Sequence, residues 1–190
     1  MIAPALLACA PNVAPVTLQA VIQVESGGNP LAINVNGIQV QPPRARDSRD
    51  AARIAESYIA RGYSVDIGLM QVNSRNLLAL GTTVERMLEP CANIHAGATI
   101  LTAGYAEAAR ARGEGQVALQ AALSAYNTGD FYWGFVNGYV ARYYGPNGVP
   151  TPTGGVRAAA AKHVAPAPPH DPHTADTTVF ARKALNVRIE

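Results

Sequence analysis

Apolar positions repeat with helical spacing over residues 15–26, and one charged residue interrupts the repeat. Leu18, Val21 and Ile22 occupy the i, i+3 and i+4 positions of one helix face. The i+7 position of the same face is Glu25, and a Ser-Gly-Gly sequence of the kind that ends helices follows at once. The pattern therefore predicts a helix that carries a carboxyl group in its last turn, on its apolar side.

The predicted position of Glu25 favours the neutral form of its carboxyl group. Apolar neighbours and the negative end of the helix dipole both disfavour the carboxylate, so both raise its pKa. A carboxylic acid that stays protonated near neutral pH is suited to act as a general acid. The alternative is a capping or exposed glutamate at a frayed helix end, and the spacing alone does not choose between the two.

Alternation of apolar and polar positions replaces helical spacing in the next stretch. Residues 33–35 and 38–40 both alternate, and Asn36-Gly37 between them is a favoured sequence for a two-residue type I′ turn. We therefore expect a β-hairpin over residues 33–40. Residues 62–73, with the sequence GYSVDIGLMQVN, are apolar and contain an internal glycine, and we predict irregular structure along a cleft there.

Helical patterns with start or stop signals account for most of the chain up to residue 144. Residues 116–126 are apolar on nearly all sides and are expected to be buried. From residue 145 the composition shifts to Pro, Gly and Ala, which cannot build a core, so residues 145–190 are predicted to be a disordered linker and tail. The predicted helices run from Asp47 or Ser48 to about Arg61, over 74–80, for one turn after Thr83, from 92 to about 112, over 116–126 and over 138–144.

The composition narrows the classes of protein to consider. A chain of 190 residues can form one domain with a substantial core, with or without a tail. A net charge of +2 is too weak a signal for nucleic-acid binding, and no apolar run approaches the ~20 residues of a membrane span. The sequence lacks nucleotide-binding glycine patterns and zinc-type Cys/His spacing, so neither a cofactor nor a metal is predicted.

Cys9 and Cys91 are the only two cysteines. They are either two reduced thiols in a cytosolic core or a disulfide formed in an oxidising compartment. A disulfide would close a loop of roughly 80 residues and contribute about 4–5 kcal/mol in the chain-entropy model. Residues 1–11 are apolar, but they are short for a signal peptide and lack a basic residue. Three interpretations of this N-terminal segment stay open: a truncated leader, a misassigned start and an unusual leader.

Three motifs occur in order along the chain: Glu25-Ser26 after an apolar helix, GLMQVN at residues 68–73, and AYNTG at residues 125–129. With these motifs, residues 12–144 resemble the lytic transglycosylases of the soluble-lytic-transglycosylase superfamily. The resemblance implies a lysozyme-like α+β fold that is mainly helical and contains a small β-hairpin. It also implies that the substrate is the glycan strand of bacterial peptidoglycan.

The placing of the two cysteines and the approach to GLMQVN look most like the VirB1-like branch, whose members accompany type IV secretion systems. This likeness implies export to the periplasm and secretion-system components as partners. Residues 177–187 regain apolar positions and are either a docking segment for such a partner or a frayed end. We also predict that Cys9 and Cys91 are linked.

The resemblance makes Glu25 the single catalytic acid and base. Glu25 would protonate the glycosidic oxygen between N-acetylmuramic acid and N-acetylglucosamine, while the neighbouring N-acetyl group stabilises the positive charge at C1. The carboxylate would then accept the proton of the C6 hydroxyl, whose attack leaves a 1,6-anhydro end without net hydrolysis. Ordinary glycosidases need a second carboxylate. Asp66 lies nearest to a motif, and we expect it to shape the loop instead.

Five candidates for substrate binding belong to the first two motifs. Ser26 would bond to Glu25 or to the N-acetyl group, and its alternative is a local bond at the helix end. Gln71 and Asn73 would hold the sugar through their amides, while Gly68 lets the backbone approach the substrate. Met70 would form an apolar floor, and its alternative is packing in the core.

Three more candidates lie near the end of the domain. Tyr126 would direct its hydroxyl at Glu25 or stack on a sugar ring, and its alternative is a half-buried core tyrosine. Asn127 would position the same segment, and Tyr139 matches a Tyr-Val pair of the family. Two other functions remain open. One is a hydrolytic lysozyme that uses a carboxylate such as Asp66, and the other is a murein-binding scaffold that recruits secretion components through its tail.

Overall fold

The computed structural model describes residues 3–144, and the predicted tail at residues 145–190 lies outside the described residues. The described part is an α+β structure, mainly helical, with one small antiparallel sheet, which confirms the predicted fold class. Two short 3-10 helices also occur, at Ser74–Asn76 and Val140–Tyr143. The helices are α1 (Pro4–Leu7), α2 (Pro15–Ser26), α3 (Ser48–Ala60), α4 (Leu77–Leu80), α5 (Val84–Met87), α6 (Pro90–Arg112), α7 (Gln116–Thr128) and α8 (Trp133–Val136), and the strands are β1 (Ile33–Val35), β2 (Val65–Ile67) and β3 (Val72–Asn73).

The two larger of three apolar clusters in residues 3–144 flank the central pair of helices, α6 and α7. The first cluster packs helix α2 against α6, α7 and the C-terminal 3-10 helix, and it contains the fully buried Leu18, Val21 and Ile22. The second cluster packs the sheet against α3, α5 and α6. Tyr126 on α7 contacts both clusters, so it lies where they meet. The apolar face predicted for α2 is thereby confirmed, and its last turn reaches this boundary.

The hairpin predicted over residues 33–40 is wrong in its second half. Strand β1 pairs with β2, with Ile33 opposite Ile67 and Val35 opposite Val65. The side-chain amide of Gln41 pairs with the backbone of Val35 instead of a second strand, since Val35 N donates to Oε1 at 2.7 Å and Nε2 donates to Val35 O at 2.8 Å. This contact satisfies the groups that a hairpin partner would bond, and residues 38–40 form no strand.

The prediction of irregular structure over residues 62–73 is also wrong, because this segment provides the other two strands. Strands β2 and β3 are antiparallel, with Asp66 opposite Asn73 and Ile67 opposite Val72. Residues 68–71 make the tight connection between them. The sheet therefore presents the GLMQVN motif as a strand, a turn and a strand, and this geometry fixes the direction in which each of its side chains points.

A disulfide joins Cys9 to Cys91, as predicted, across a sequence separation of 82 residues. It ties the segment before α2 to the first turn of α6, and the adjacent Ala10 is buried in the first apolar cluster. The boundary between residues 11 and 12 stays a prediction. Among residues 3–144, no helix combines the length and the apolar character that crossing a membrane requires.

Candidate active site

A groove with a volume of about 260 Å³ opens between the end of α2, the sheet, the end of α7 and the C-terminal 3-10 helix. It brings the three sequence motifs together at one place. Among the predicted site residues, Ser26, Gly68 and Met70 do not line it. Its polar and charged lining residues are Glu25, Asn34, Asp66, Gln71, Asn73, Asn76, Tyr126, Asn127, Tyr139 and Arg142.

Glu25 is half-buried in the last turn of α2, with its carboxyl group in the groove. The pKa of this carboxyl is raised to about 7, chiefly because the group is removed from water and in smaller part by the charge of Asp66. The hydrogen bond from Tyr139 and the charge of Arg142 lower the pKa and offset part of this effect. Glu25 is therefore close to half-protonated at neutral pH, in the range where a group can both give and accept a proton.

The hydroxyl of Tyr139 donates a hydrogen bond to Oε1 of Glu25. A chain of amide contacts holds this tyrosine in place. Tyr139 N donates to Oδ1 of Asn137 at 2.9 Å, and Nδ2 of Asn137 donates to Oδ1 of Asn127 at 3.2 Å. The third motif thus supports Glu25 indirectly, through Asn127, Asn137 and Tyr139. The sequence did not indicate Asn137, although an Asn-Gly pair after a short helix is a usable turn signal.

The hydroxyl of Tyr126 donates to the backbone oxygen of Met70 at 2.6 Å. Its ring still lines the groove, so the hydroxyl serves to anchor the GLMQVN turn rather than to contact Glu25. Burial raises the pKa of the Tyr126 hydroxyl well above its ordinary value, so the group stays a donor. The side chain of Met70 itself is fully buried in the first apolar cluster.

Ser26 also connects the first motif to the second. Its Oγ lies 2.8 Å from the backbone oxygen of Leu69 and 3.2 Å from that of Ile22, and it accepts a hydrogen bond from Gly28 N at 3.2 Å. The serine thus combines the local bond at the helix end with a long-range bond to the turn. This contact fixes the distance between the end of α2 and the GLMQVN segment.

Asn93 on α6 is hydrogen-bonded to the turn at residues 68–71, and the sequence did not indicate this residue. Its Oδ1 accepts from Met70 N at 2.7 Å, and its Nδ2 donates to the backbone oxygens of Ile67 and Met87, both at 2.8 Å. Gly68 is required here because it has a φ of 76°, and a Cβ on it would lie 2.4 Å from Nδ2 of Asn93. The sequence signal that could have identified Asn93 was a single amide side chain on an otherwise apolar face of helix α6.

Gln71 has a backbone φ of 48°, in the left-handed region that non-glycine residues seldom adopt. Its Nε2 donates to the backbone oxygens of Gly68 and Ala32, at 2.9 and 3.3 Å. These bonds keep the side chain at the groove and compensate for the unfavourable backbone conformation. Strain of this kind is concentrated at functional sites.

Asp66 faces the groove from the middle of β2 and accepts hydrogen bonds from two amides. Asn73 Nδ2 donates to Oδ1 at 2.6 Å, and Asn34 Nδ2 donates to Oδ2 at 3.2 Å. The Asn73 side chain also contacts Ser64. Both carboxylate oxygens are thereby used to hold the three strands together, in agreement with a role in shaping the site.

Arg142 lies on the rim of the groove and was not singled out in the sequence. Its guanidinium donates to the backbone oxygen of Val24 at 2.9 Å and lies 5.8 Å from the ring centre of Tyr139. A cation at the carbonyl end of α2 is favourable because that end of the helix is negative. Within residues 3–144, no cluster of three or more His, Cys, Asp or Glu side chains is placed to hold a metal ion.

The fold and the groove define a mainly helical α+β domain in which a carboxyl group of raised pKa sits at the end of a helix, facing a polar cleft. The chain belongs to the Transglycosylase SLT domain family, whose profile matches residues 5–143. This match covers all three motifs and the segment that carries Tyr139.

Two curated relatives are similar to this chain. Protein virB1 of Agrobacterium fabrum is 42% identical over 134 residues, which cover 70% of this chain and 54% of the relative. Type IV secretion system protein virB1 of Brucella abortus biovar 1 is 43% identical over 129 residues, covering 67% of this chain and 53% of the relative. The chain therefore spans about half the length of these curated relatives. No solved structure matches the chain.

Proposed function

We propose that this protein is a peptidoglycan lytic transglycosylase that cleaves the β-1,4 bond between N-acetylmuramic acid and N-acetylglucosamine. The observation that carries the proposal is the half-buried Glu25, whose carboxyl has a pKa raised to about 7 and faces a polar groove. A carboxyl in this state can serve first as the acid and then as the base, so one group suffices for both steps. Membership in the SLT family supports this assignment.

In the first step, neutral Glu25 gives its proton to the glycosidic oxygen, and the bond from that oxygen to C1 of N-acetylmuramic acid breaks. The carbonyl oxygen of the 2-acetamido group shares the positive charge that develops at C1. In the second step, the C6 hydroxyl of the same sugar attacks C1 and its proton passes to the Glu25 carboxylate. The acid is thereby restored, no water is consumed, and a 1,6-anhydro ring remains.

The environment of Asp66 supports this scheme over a hydrolytic one. A hydrolase with two carboxylates needs its second carboxylate to activate water or to attack C1. Both oxygens of Asp66 accept hydrogen bonds from the amides of Asn34 and Asn73. Its charge raises the pKa of Glu25 and so keeps the acid protonated. Asp66 thus acts on the reaction through Glu25.

The remaining candidate residues divide into two groups in this proposal. Gln71, Asn73, Tyr126, Asn127 and Tyr139 line the groove and contact the sugar or hold Glu25. Because Nε2 of Gln71 is bonded to backbone carbonyls, its Oε1 is the atom that would accept from a sugar hydroxyl or amide. The second group does not line the groove but shapes the turn at residues 68–71, and it consists of Ser26, Gly68 and Met70.

The names of the relatives supply the biological setting. One relative is called a type IV secretion system protein. We therefore place the chain in the periplasm, where it would open the murein layer for assembly of such a system. The tail from residue 145, and residues 177–187 in particular, is the segment that would bind secretion components.

Analysis of the products by mass spectrometry tests the proposal. Purified murein digested by the protein should yield muropeptides that end in 1,6-anhydro-N-acetylmuramic acid. These are lighter than the products of hydrolysis by the mass of one water molecule. Reducing ends in their place would assign the protein to the hydrolases. Binding to murein without any cleavage would assign it to the scaffolds, and either result would overturn the proposal.

A further inference from the structure

A second tyrosine lies behind the contact between Tyr139 and Glu25. Tyr143 is fully buried at the end of the C-terminal 3-10 helix, one turn after Tyr139. Its hydroxyl is hydrogen-bonded to the hydroxyl of Tyr139 and lies 3.5 Å from Oε1 of Glu25. The two rings meet edge to face, with centroids 5.2 Å apart. The mechanism above assigns no task to this buried hydroxyl.

Both tyrosine hydroxyls keep their protons throughout the working pH range. Burial raises the pKa of Tyr139 and of Tyr143 well above the ordinary value, and the nearby charge of Glu25 adds to this effect. Each hydroxyl therefore has one hydrogen to donate, and Oε1 of Glu25 lies within reach of both hydroxyls.

In the first arrangement, Tyr143 donates to Tyr139 and Tyr139 donates to Oε1 of Glu25. In the other arrangement, Tyr139 donates to Tyr143, and Tyr143 donates to Oε1 at 3.5 Å. In both arrangements Oε1 is the oxygen that accepts. A proton on Oε1 would compete with these donated hydrogens, since the hydroxyl oxygen of a carboxylic acid is a poorer acceptor than its carbonyl oxygen, so the proton is favoured on Oε2.

We propose that Tyr143 is a positioning residue that, with Tyr139, holds Oε1 of Glu25 as a hydrogen-bond acceptor and thereby keeps the acidic proton of Glu25 on Oε2. Both tyrosine contacts are made to Oε1, so Oε2 is the oxygen that carries the proton to the substrate. Without the Tyr143 hydroxyl, Oε1 loses one of its two donors and Tyr139 loses its hydroxyl partner, so the preference for a proton on Oε2 weakens. This inference rests on the proposed function, since it specifies how the acid of that reaction is held.

The other groups that face Glu25 do not depend on the Tyr143 hydroxyl. They are Tyr126 from α7, Asp66 from β2 and Arg142 from the 3-10 helix. Tyr126 is bonded to Met70, Asp66 is held by two amides, and Arg142 is bonded to Val24. Replacing Tyr143 by phenylalanine thus removes one hydroxyl and leaves these contacts in place.

The test compares the pH dependence of murein cleavage in the wild type and in Tyr143→Phe. We expect kcat to fall about 3- to 10-fold, the equivalent of one hydrogen bond, with KM unchanged. Because hydrogen bonds to the carboxylate lower its pKa, the alkaline limb of the profile should move to higher pH in the variant. Tyr105→Phe is the matched control, since it removes a hydroxyl whose bond, to Gly115 N at 3.0 Å, lies away from the groove.

Two outcomes would overturn the inference. A variant that melts earlier but keeps the wild-type kcat and alkaline limb would show that Tyr143 only fills the core. The titration of the Glu25 carboxyl, followed by carbon-13 NMR, gives a second readout that needs no substrate. If the wild type fails to cleave murein, the proposed function falls. The NMR titration tests the role of Tyr143 independently of cleavage: if the Glu25 carboxyl titrates at the same pH in Tyr143→Phe as in the wild type, this inference is wrong.

Discussion

Glu25→Gln should reduce murein cleavage by at least about 1000-fold, since one carboxyl provides both the acid and the base and each role is worth about 10²–10⁴-fold. Glutamine keeps the shape of the side chain and can still accept the hydrogen bond from Tyr139 through its amide oxygen. It cannot release or bind a proton at neutral pH. The rate of release of soluble muropeptides at pH 7 measures the effect.

Glu89→Gln is the matched control, because Glu89 is an exposed carboxyl that pairs with Arg86 at the start of α6, away from the groove. It should cleave murein at the wild-type rate. Cleavage by Glu25→Gln within tenfold of the wild type would exclude Glu25 as the catalytic acid, whatever the control shows.

Folding of Glu25→Gln can be checked through the pH dependence of stability. Burial raises the pKa of the Glu25 carboxyl from 4.5 to about 7, so the folded protein binds this proton more tightly than the unfolded chain does. The wild type therefore loses stability as the pH rises from about 4.5 to about 7. The variant has no such loss. Its melting temperature should match the wild type near pH 4 and exceed it above pH 7.

Removal of the disulfide should cause the largest loss of stability that we predict. The bond between Cys9 and Cys91 spans 82 residues. Opening a loop of this size raises the entropy of the unfolded chain, and the double variant Cys9→Ser, Cys91→Ser should lose about 4–5 kcal/mol of unfolding free energy. The loss should be concentrated at the N-terminus, where Ala10 and Val13 anchor the segment in the core.

Urea denaturation of the oxidised wild type and of the double variant measures this loss. The wild type unfolded in the presence of a reductant is the matched control and should resemble the variant. Neither cysteine lines the groove, so the cleavage rate of the folded variant should stay at the wild-type value. A loss of less than about 1 kcal/mol would contradict the chain-entropy account for this loop.

Local signals in the sequence were sufficient for the longer helices, whereas the four-residue helices α1 and α8 were not predicted. Spacing placed Leu18, Val21 and Ile22 in the core and Glu25 at the helix end, and the structure agrees. Asp47 was one of the two predicted caps of α3, and its side chain accepts from Asp50 N at 2.8 Å. These features depend on residues three or four positions apart, so a single sequence contains them.

The pairing of the strands and the side chains that hold the groove in place depend on contacts between residues far apart in sequence. The sequence did not predict these contacts for that reason. A side-chain amide, that of Gln41, replaced the second strand of the predicted hairpin. Asn93 reaches the turn at Met70 from another element, 23 positions away in sequence. Tyr143 meets Glu25 only because the end of the domain folds back on α2, and no local pattern reports such a contact.

The protonation state of Glu25 is the most direct test of this account. Carbon-13 NMR of the glutamate side chains in the murein-free protein, titrated from pH 3 to pH 9, reports each carboxyl separately, and Glu25→Gln identifies the signal. We expect the Glu25 carboxyl to titrate with a pKa of about 7. A Glu25 signal that titrates near about 4.3, as in model peptides, would contradict the account. The group would then be ionised at neutral pH and unable to protonate the glycosidic oxygen.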